Sequence, residues 1–149
     1  MVQLLDTKID ILNIKYLRGP SVWTYDPVME VWIDIGDLEK FPSDKIPGFY
    51  ERLVKCMPSL IEHRCSVGER GGFFQRVREE TWAGHILEHI ALELQAMAGF
   101  PGGFGRTRDG GQVGVYRVVV SNWEDTVTLA AFHHARDLLM SLIQDRDGP

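Results

Sequence analysis

The feature that most constrains this chain is the segment at residues 84–93, which reads GHILEHIALE and contains the pattern His-x-x-Glu-His. On a helix with about 100° per residue, His89 lies roughly 40° from His85, and Glu88 lies roughly 60° away on the other side. An aliphatic stripe lies roughly 100–200° from His85 and consists of Ile86, Leu87, Ile90 and Leu94. The segment therefore predicts a helix that packs its aliphatic stripe in a core and carries both histidines on a separate face.

The histidine face has the composition of a catalytic zinc site. Neutral imidazoles at positions i and i+4, here His85 and His89, can converge on one ion. Glu88 beside the ion could take a proton from a water molecule and return it to a leaving amine. A glutamate that directly precedes the second histidine is the arrangement of the inverzincin peptidases. The pattern therefore predicts a zinc metallohydrolase with Glu88 as the catalytic acid/base.

A zinc site also needs a third protein ligand, and three residues are open for this role. His63 is the first choice, because an imidazole just upstream could fold back onto the helix. Cys65 and Glu93 are the alternatives. A different interpretation is that the polar face is solvated, or that its histidines are core residues with hydrogen-bond partners. Spacing alone does not separate these interpretations.

Hydrophobic periodicity predicts an α+β fold with a small, mainly antiparallel sheet and helices packed on one face. We predict strands at 9–17, 28–35 and 113–120, and helices at 47–57, 73–97 and 124–143. The segment 73–97 could form one helix, or two helices with Thr81 capping the second, which carries the histidines. The last helix is predicted to share one face among Val127, Ala130, Ala131, His134, Leu138 and Leu142.

Two glycine-rich segments carry arginines. Residues 100–111 are interpreted as a loop in which Arg106 and Arg108 clamp a carboxylate of the substrate. Arg70, in the loop at 67–72, could line the same cleft. The alternative for both segments is an ordinary surface loop.

Length and charge limit the class of protein. The chain has 149 residues, so we expect a single domain over 1–149. A net charge of −5 argues against a nucleic-acid-binding protein. No apolar run reaches membrane-spanning length and no signal-peptide pattern opens the chain, so we expect no membrane contact and a cytoplasmic location.

Seven segments of the chain, in order, resemble the amino-terminal domain of cyanophycin synthetases. These are residues 17–23, 46–51, 58–66, 70–73, 76–79, 84–95 and 103–108. The resemblance implies a longer ligase, expected to be a homo-oligomer, in which an ATP-grasp domain and a Mur-ligase-like domain follow. Those domains use ATP to make cyanophycin, a poly-aspartate chain with arginine on each side chain. Neither domain is contained in these 149 residues.

For this chain, the resemblance implies a domain that binds the polymer and cuts it internally to generate primers for synthesis. His85 and His89 match the zinc ligands of the family, and Glu88 matches its catalytic acid/base. The expected partners are the polymer and the two ligase domains of the same enzyme. The alternative is a non-catalytic domain that only tethers the polymer for those domains.

Overall fold

A computed structural model describes residues 7–64 and 68–144 of the chain. Within these residues it has four strands and four α-helices, joined in part by short 3-10 turns at Gly36–Lys40, Ser43–Lys45 and Pro58–Glu62. In chain order the elements are β1 (Asp10–Leu17), β2 (Val28–Asp34), α1 (Phe49–Cys56), α2 (Gly72–Glu79), α3 (Ala83–Met97), β3 (Gly105–Asp109), β4 (Val115–Ser121) and α4 (Asp125–Gln144). In these ranges no helix combines the length and apolar character needed to cross a membrane.

The strands form one antiparallel sheet in the order β1-β2-β4-β3. Because side chains alternate along a strand, Met29, Val31 and Ile33 of β2 share one face of the sheet. They pack in the same hydrophobic core as the buried residues of the helices. The predicted α+β class, with helices on one face of an antiparallel sheet, is confirmed.

On the opposite face of the sheet, Trp23 from the connection between β1 and β2 packs beside Glu30 and Arg117. Trp23 in this connection donates its indole N–H to Glu30 at 3.0 Å. The guanidinium of Arg117 lies 5.1 Å from the ring centre of Trp23 and 5.3 Å from that of Trp32. These contacts leave the two faces chemically distinct, with the helices and the histidine face on one side only.

The segment 73–97 contains two helices, and the break between them positions the histidine face. Ser43 fastens this break, because its hydroxyl donates to the carbonyl of Val77 at 2.6 Å and accepts from the amide of Thr81 at 3.0 Å. The prediction that Thr81 caps α3 was wrong, because Trp82 is the N-cap residue and no side chain caps the helix. The Thr81 hydroxyl hydrogen-bonds to the ring of His85 instead.

Two other predictions are corrected by the structure. Residues 105–109, interpreted as loop, form the edge strand β3 because they pair with the available edge of β4. The face predicted for α4 only partly matches the face that packs in the core: Ala131 is buried, Leu138 and Leu142 pack against the core, and Ala130 and His134 are exposed. The buried residues of this helix are Thr128, Ala131, Phe132, Ala135, Leu139, Ile143 and Gln144. The buried face of α4 thus lies about one residue further along the chain than the predicted face, and it includes the large Phe132 ring.

Candidate functional site

The histidine face of α3 opens into a cleft of about 1040 Å³, here called the α3 cleft. Its other walls come from β3, from the end of α2 and from the turn at Pro58–Glu62. Among the predicted site residues, those that line it are His63, His85, Glu88, His89, Glu93, Arg106 and Arg108. Arg70 is not among the lining residues and instead pairs with the exposed Glu62 at 2.6 Å. Cys65 lies outside the described residues.

The polar residues of α3 are buried together with its aliphatic stripe. Ile86, Leu87 and Ile90 are fully or almost fully buried, as predicted. Glu88 and His89 are only 5% and 6% exposed. A solvated polar face is therefore excluded, because burying such groups requires partners that replace their hydration.

Glu88 is hydrogen-bonded through one carboxyl oxygen and lies near His89 with the other. Its Oε1 accepts the Thr107 hydroxyl at 2.7 Å, and its Oε2 lies 3.8 Å from Nε2 of His89. Burial raises the pKa of Glu88 to about 7, against the opposing effects of the Thr107 hydrogen bond and of the charges of Arg106 and Arg108. A carboxyl group with a pKa near neutrality can both accept and return a proton, as an acid/base catalyst must.

The contact between Glu88 and His89 is not an ion pair. Burial, with smaller contributions from the charges of His85, His63 and Arg76, lowers the pKa of His89 well below its usual value. The His89 ring is therefore neutral where the Glu88 carboxyl begins to ionise. The contact places an uncharged imidazole nitrogen against the candidate catalytic carboxyl.

Gly105 on β3 lets the backbone approach this carboxyl. A Cβ at position 105 would lie 2.5 Å from Oε2 of Glu88 and 2.7 Å from Cδ1 of Leu92. Both distances are far below van der Waals contact. Any larger residue here would force the side chains of Glu88 and Leu92 to shift, although the backbone conformation itself does not call for glycine.

The two histidines of α3 are held through the same ring nitrogen. Nδ1 of His85 lies 2.8 Å from the Thr81 hydroxyl, and Nδ1 of His89 lies 2.8 Å from Nδ1 of His63. Burial lowers the pKa of His85 to about 4, and the charge of Arg76 adds to the effect. Both rings are therefore neutral at pH 7, which is the form that binds metal ions.

His63 and Glu93 extend the hydrogen bonds away from His89. Nε2 of His63 lies 2.8 Å from Oε1 of Glu93, and Oε2 of Glu93 accepts the Ser59 hydroxyl at 2.7 Å. Phe73 stacks on the His89 ring with 4.2 Å between ring centres. The ring of His89 is thus fixed by a hydrogen bond at its edge and an aromatic ring on its face.

The donors at the site fit zinc in their chemistry. His85 and His89 are neutral imidazoles one turn apart, with 4.7 Å between ring centres. Each has Nδ1 engaged by a neighbour, as metal-binding histidines usually do. Within residues 7–64 and 68–144, however, no group of three or more His, Cys, Asp or Glu side chains is arranged to hold a metal ion. The zinc site therefore stays a prediction that rests on the histidine pair.

Arg106 and Arg108 lie at the rim of the α3 cleft. Because side chains alternate along β3, Thr107 points at Glu88 while the two arginines stay exposed. The guanidinium of Arg106 lies over the ring of Phe104, 4.9 Å from its centre. The arginines are thus placed to meet an anionic group of a ligand at the cleft entrance.

Sequence reasoning missed four residues that support the site: Ser59, Thr81, Gly105 and Thr107. The position of Thr81, four residues before His85 and just ahead of α3, was a usable signal. Ser59 and Thr107 contact glutamates 34 and 19 residues away, and no local pattern reports such contacts. The requirement for glycine at 105 likewise arises only from the packing of β3 against α3.

The sequence of this chain is similar to one family of protein domains and to several known enzymes. Residues 30–144 match the sequence family described as "Cyanophycin synthase-like N-terminal domain". The chain is 53% identical to a cyanophycin synthetase from Geminocystis herdmanii over 111 residues, which is 73% of this chain and 13% of the relative. It is 50% identical to one from Crocosphaera subtropica over 141 residues and 45% identical to one from Synechocystis over 139 residues. These two alignments cover 93% and 92% of this chain and 16% of each relative. The chain thus spans about one sixth or less of the length of these relatives.

Proposed function

Because the chain belongs to the family of cyanophycin synthase-like N-terminal domains, we propose that its α3 cleft binds cyanophycin and hydrolyses the polymer backbone internally. Such cuts would supply short primers for polymer synthesis. The observation that carries the proposal is the environment of Glu88. This carboxyl is buried in an open cleft, hydrogen-bonded to Thr107 and in contact with the neutral ring of His89.

The charges of the cleft suit a polymer that bears both signs. Each arginine of cyanophycin would present a carboxylate and a guanidinium. Arg106 and Arg108 at the rim could hold the carboxylates through paired hydrogen bonds. Glu62, which also lines the cleft, could hold a guanidinium. The distribution of charge therefore supports binding of a zwitterionic chain.

In the proposed reaction, Glu88 moves one proton from the attacking water to the leaving amide nitrogen. His85 and His89 would hold a zinc ion, which when bound supplies Lewis acidity to the water and to the scissile carbonyl. The Glu88 carboxylate takes a proton as the water oxygen bonds to the carbonyl carbon. It returns that proton to the nitrogen as the C–N bond breaks. Thr107 holds the carboxylate in place through both steps.

The test is Glu88→Gln, with Glu51→Gln on the exposed face of α1 as the matched control. Glutamine keeps the size of Glu88 and its hydrogen bond to Thr107 but cannot accept the proton. Cleavage of cyanophycin should fall by roughly 10²–10⁴-fold, the usual contribution of acid/base catalysis. Binding of the polymer should stay near the wild-type level, and the control should cut normally. A Glu88→Gln chain that cuts as fast as wild type contradicts the mechanism.

The same experiment separates hydrolysis from tethering. If wild type binds cyanophycin but leaves its length unchanged under every metal condition, the domain only tethers the polymer. We further propose that, in a longer enzyme like its relatives, the cleft passes the cut chain to ATP-dependent ligase domains. Those domains and a homo-oligomeric assembly are the partners implied by this proposal.

A further inference from the structure

We propose that the outer edge of β3 binds the backbone of cyanophycin as an added antiparallel strand. Arg106 and Arg108 cover that edge when no polymer is bound. The inference rests on the proposed function for the identity of the ligand. It adds the conformation in which the poly-aspartate backbone is held and the groups that hold it.

The place of β3 in the sheet leaves one side of the strand open. β3 ends the strand order β1-β2-β4-β3, so within the described residues only β4 pairs with it. An edge strand presents a row of backbone N–H and C=O groups to which another chain can pair. The α3 cleft meets this edge, because four consecutive residues, Gly105 to Arg108, line it although their side chains alternate between the two faces.

The pairing with β4 decides which backbone groups of β3 point outwards. The carbonyl of Phe104 accepts from the amide of Ser121 at 2.9 Å, and the amide of Gly110 donates to the carbonyl of Val115 at 2.8 Å. In an antiparallel pair, residues that bond to the partner strand alternate with residues whose N–H and C=O groups point away from it. The even-numbered residues of β3 therefore bond to β4. The residues that direct their backbone groups outwards are Gly105, Thr107 and Asp109.

The two arginine side chains cover the outward carbonyls. Nη1 of Arg106 donates to the carbonyl of Gly105 at 2.9 Å, and Nη1 of Arg108 donates to the carbonyl of Thr107 at 3.1 Å. Each guanidinium thus lies over the free edge of the strand. Charged side chains on an edge strand keep it from pairing with other chains. The edge of β3 is therefore protected by groups that a carboxylate can draw away.

Cyanophycin has the chemistry to displace this cover. Its backbone offers the amides and carbonyls of a peptide, and the arginine on each side chain would present a carboxylate. A strand added to β3 places alternate side chains on the same face as Arg106 and Arg108, where their carboxylates can pair with both guanidiniums. The carbonyls of Gly105 and Thr107 are then free to accept amides of the polymer. An uncharged peptide lacks the carboxylates and must compete with the arginines for those carbonyls.

The other edge of the sheet provides an internal comparison. The pairing of β1 with β2 shifts register between Ile11 and Asn13. Such a bulge bends a strand and disrupts its ladder of hydrogen bonds. Among the described residues, none of those that line the α3 cleft belongs to β1. The polymer should therefore pair with β3 and leave β1 unchanged.

The test compares two probes that carry the same number of methyl groups. Each is an acetylated pentamer of aspartate with arginine on every side chain. N-methyl groups on the second and fourth residues leave one edge of the extended pentamer free, because its amides alternate in direction. N-methyl groups on the second and third residues block both edges. Affinity is measured by titration calorimetry with the Glu88→Gln chain, so that cleavage of the probe does not enter.

We expect the probe methylated on alternate residues to bind within about 3-fold of the unmethylated pentamer. The probe methylated on adjacent residues should bind at least about 10-fold more weakly, because it loses backbone hydrogen bonds on either edge. Amide hydrogen exchange on the complex with the unmethylated pentamer gives a second measurement. Exchange should slow about 10-fold or more at Gly105, Thr107 and Asp109, and the amides of β1 should keep their rates.

A matched pair of variants tests the same edge from the side of the protein. Asp109→Pro removes one outward amide, and Asp109→Ala removes the same side chain but keeps the amide. Proline is tolerated on an edge strand where the N–H faces away from the sheet. The pentamer should bind about 3–10-fold more weakly to the proline variant than to the alanine variant.

Three results would overturn the inference. They are equal affinity of the two methylated probes, exchange that stays fast at the outward amides of β3 in the complex, and no binding of the unmethylated pentamer. In the first two cases the pentamer still binds, so the α3 cleft stands as a site for the polymer. Failure of the proposed hydrolysis gives a different result, in which the probes follow the expected order but wild type leaves the polymer uncut.

Discussion

Replacing Gly105 with alanine should disturb the site by a single methyl group. The added Cβ would lie 2.5 Å from Oε2 and 2.9 Å from Cγ of Glu88, and 2.7 Å from Cδ1 of Leu92. Ordinary contacts are near 3.5 Å or longer, so these atoms must move by up to about 1 Å. Overpacking of this kind typically costs about 1–3 kcal/mol, which corresponds to a fall in Tm of roughly 3–9 °C for a chain of this size.

The effect on activity should be larger than the effect on stability. A displacement of about 1 Å in a catalytic group can lower the rate roughly 10²-fold. We therefore expect cleavage of cyanophycin by Gly105→Ala to fall about 10²-fold at a temperature where the variant is fully folded. The assay is chain length by size-exclusion chromatography, with Tm measured by calorimetry.

The control for this prediction is Gly19→Ala. Nothing lies within 4 Å of a Cβ at position 19, and its φ lies outside the left-handed region. This variant should keep both the wild-type rate and Tm, or gain slightly in Tm. If Gly105→Ala matches Gly19→Ala in both measurements, the close packing of β3 on Glu88 is refuted.

Three further predictions concern the carboxylates and the ion. Thr107→Val removes a hydrogen bond that lowers the pKa of Glu88. The acid limb of the pH–rate profile should therefore move to higher pH by roughly 1–2 units, and the rate should recover above that pH. A limb that stays at the wild-type pH contradicts this role. Removing metal with a chelator should abolish cleavage and lower Tm, and added zinc should restore both; unaffected cleavage argues against a metal. Hydrogen bonds from Arg18 and then Asn122 lower the pKa of Asp125 to about 2, so its contribution to stability is present above about pH 4 and lost as the pH falls towards 2. The Tm of Asp125→Asn should therefore lie below wild type at pH 7 and approach it at pH 2, and an equal difference at both would count against the pairing.

Local periodicity was sufficient to predict the part of the site that lies on one helix. Ile86, Leu87 and Ile90 are buried as predicted, and Glu88 and His89 lie together on another face. These positions follow from helix geometry alone, so they can be predicted from the spacing of residues in the sequence.

Features that depend on packing between distant elements were not predictable in the same way. Residues 105–109 look like a loop because glycines surround them, yet they complete the sheet by pairing with β4. In α4, the Thr128 hydroxyl donates to Asn122 at 2.8 Å. This hydrogen bond offsets the cost of burying the hydroxyl, so a polar residue can occupy a core position. The spacing of aliphatic residues along α4 contains no information about this hydrogen bond, and it did not predict that Phe132 lies in the core.

The most direct test of the account is hydrolysis of cyanophycin by this chain alone, with zinc and without ATP, in water enriched in ¹⁸O. Internal cutting at a backbone amide should shorten the polymer quickly, and each new carboxyl end should carry one ¹⁸O atom from the attacking water. Mass spectrometry of the fragments measures both. Glu88→Gln should give neither product. Polymer that keeps its full length with the zinc-loaded wild-type chain would contradict the proposed hydrolysis and leave binding as the role of the cleft.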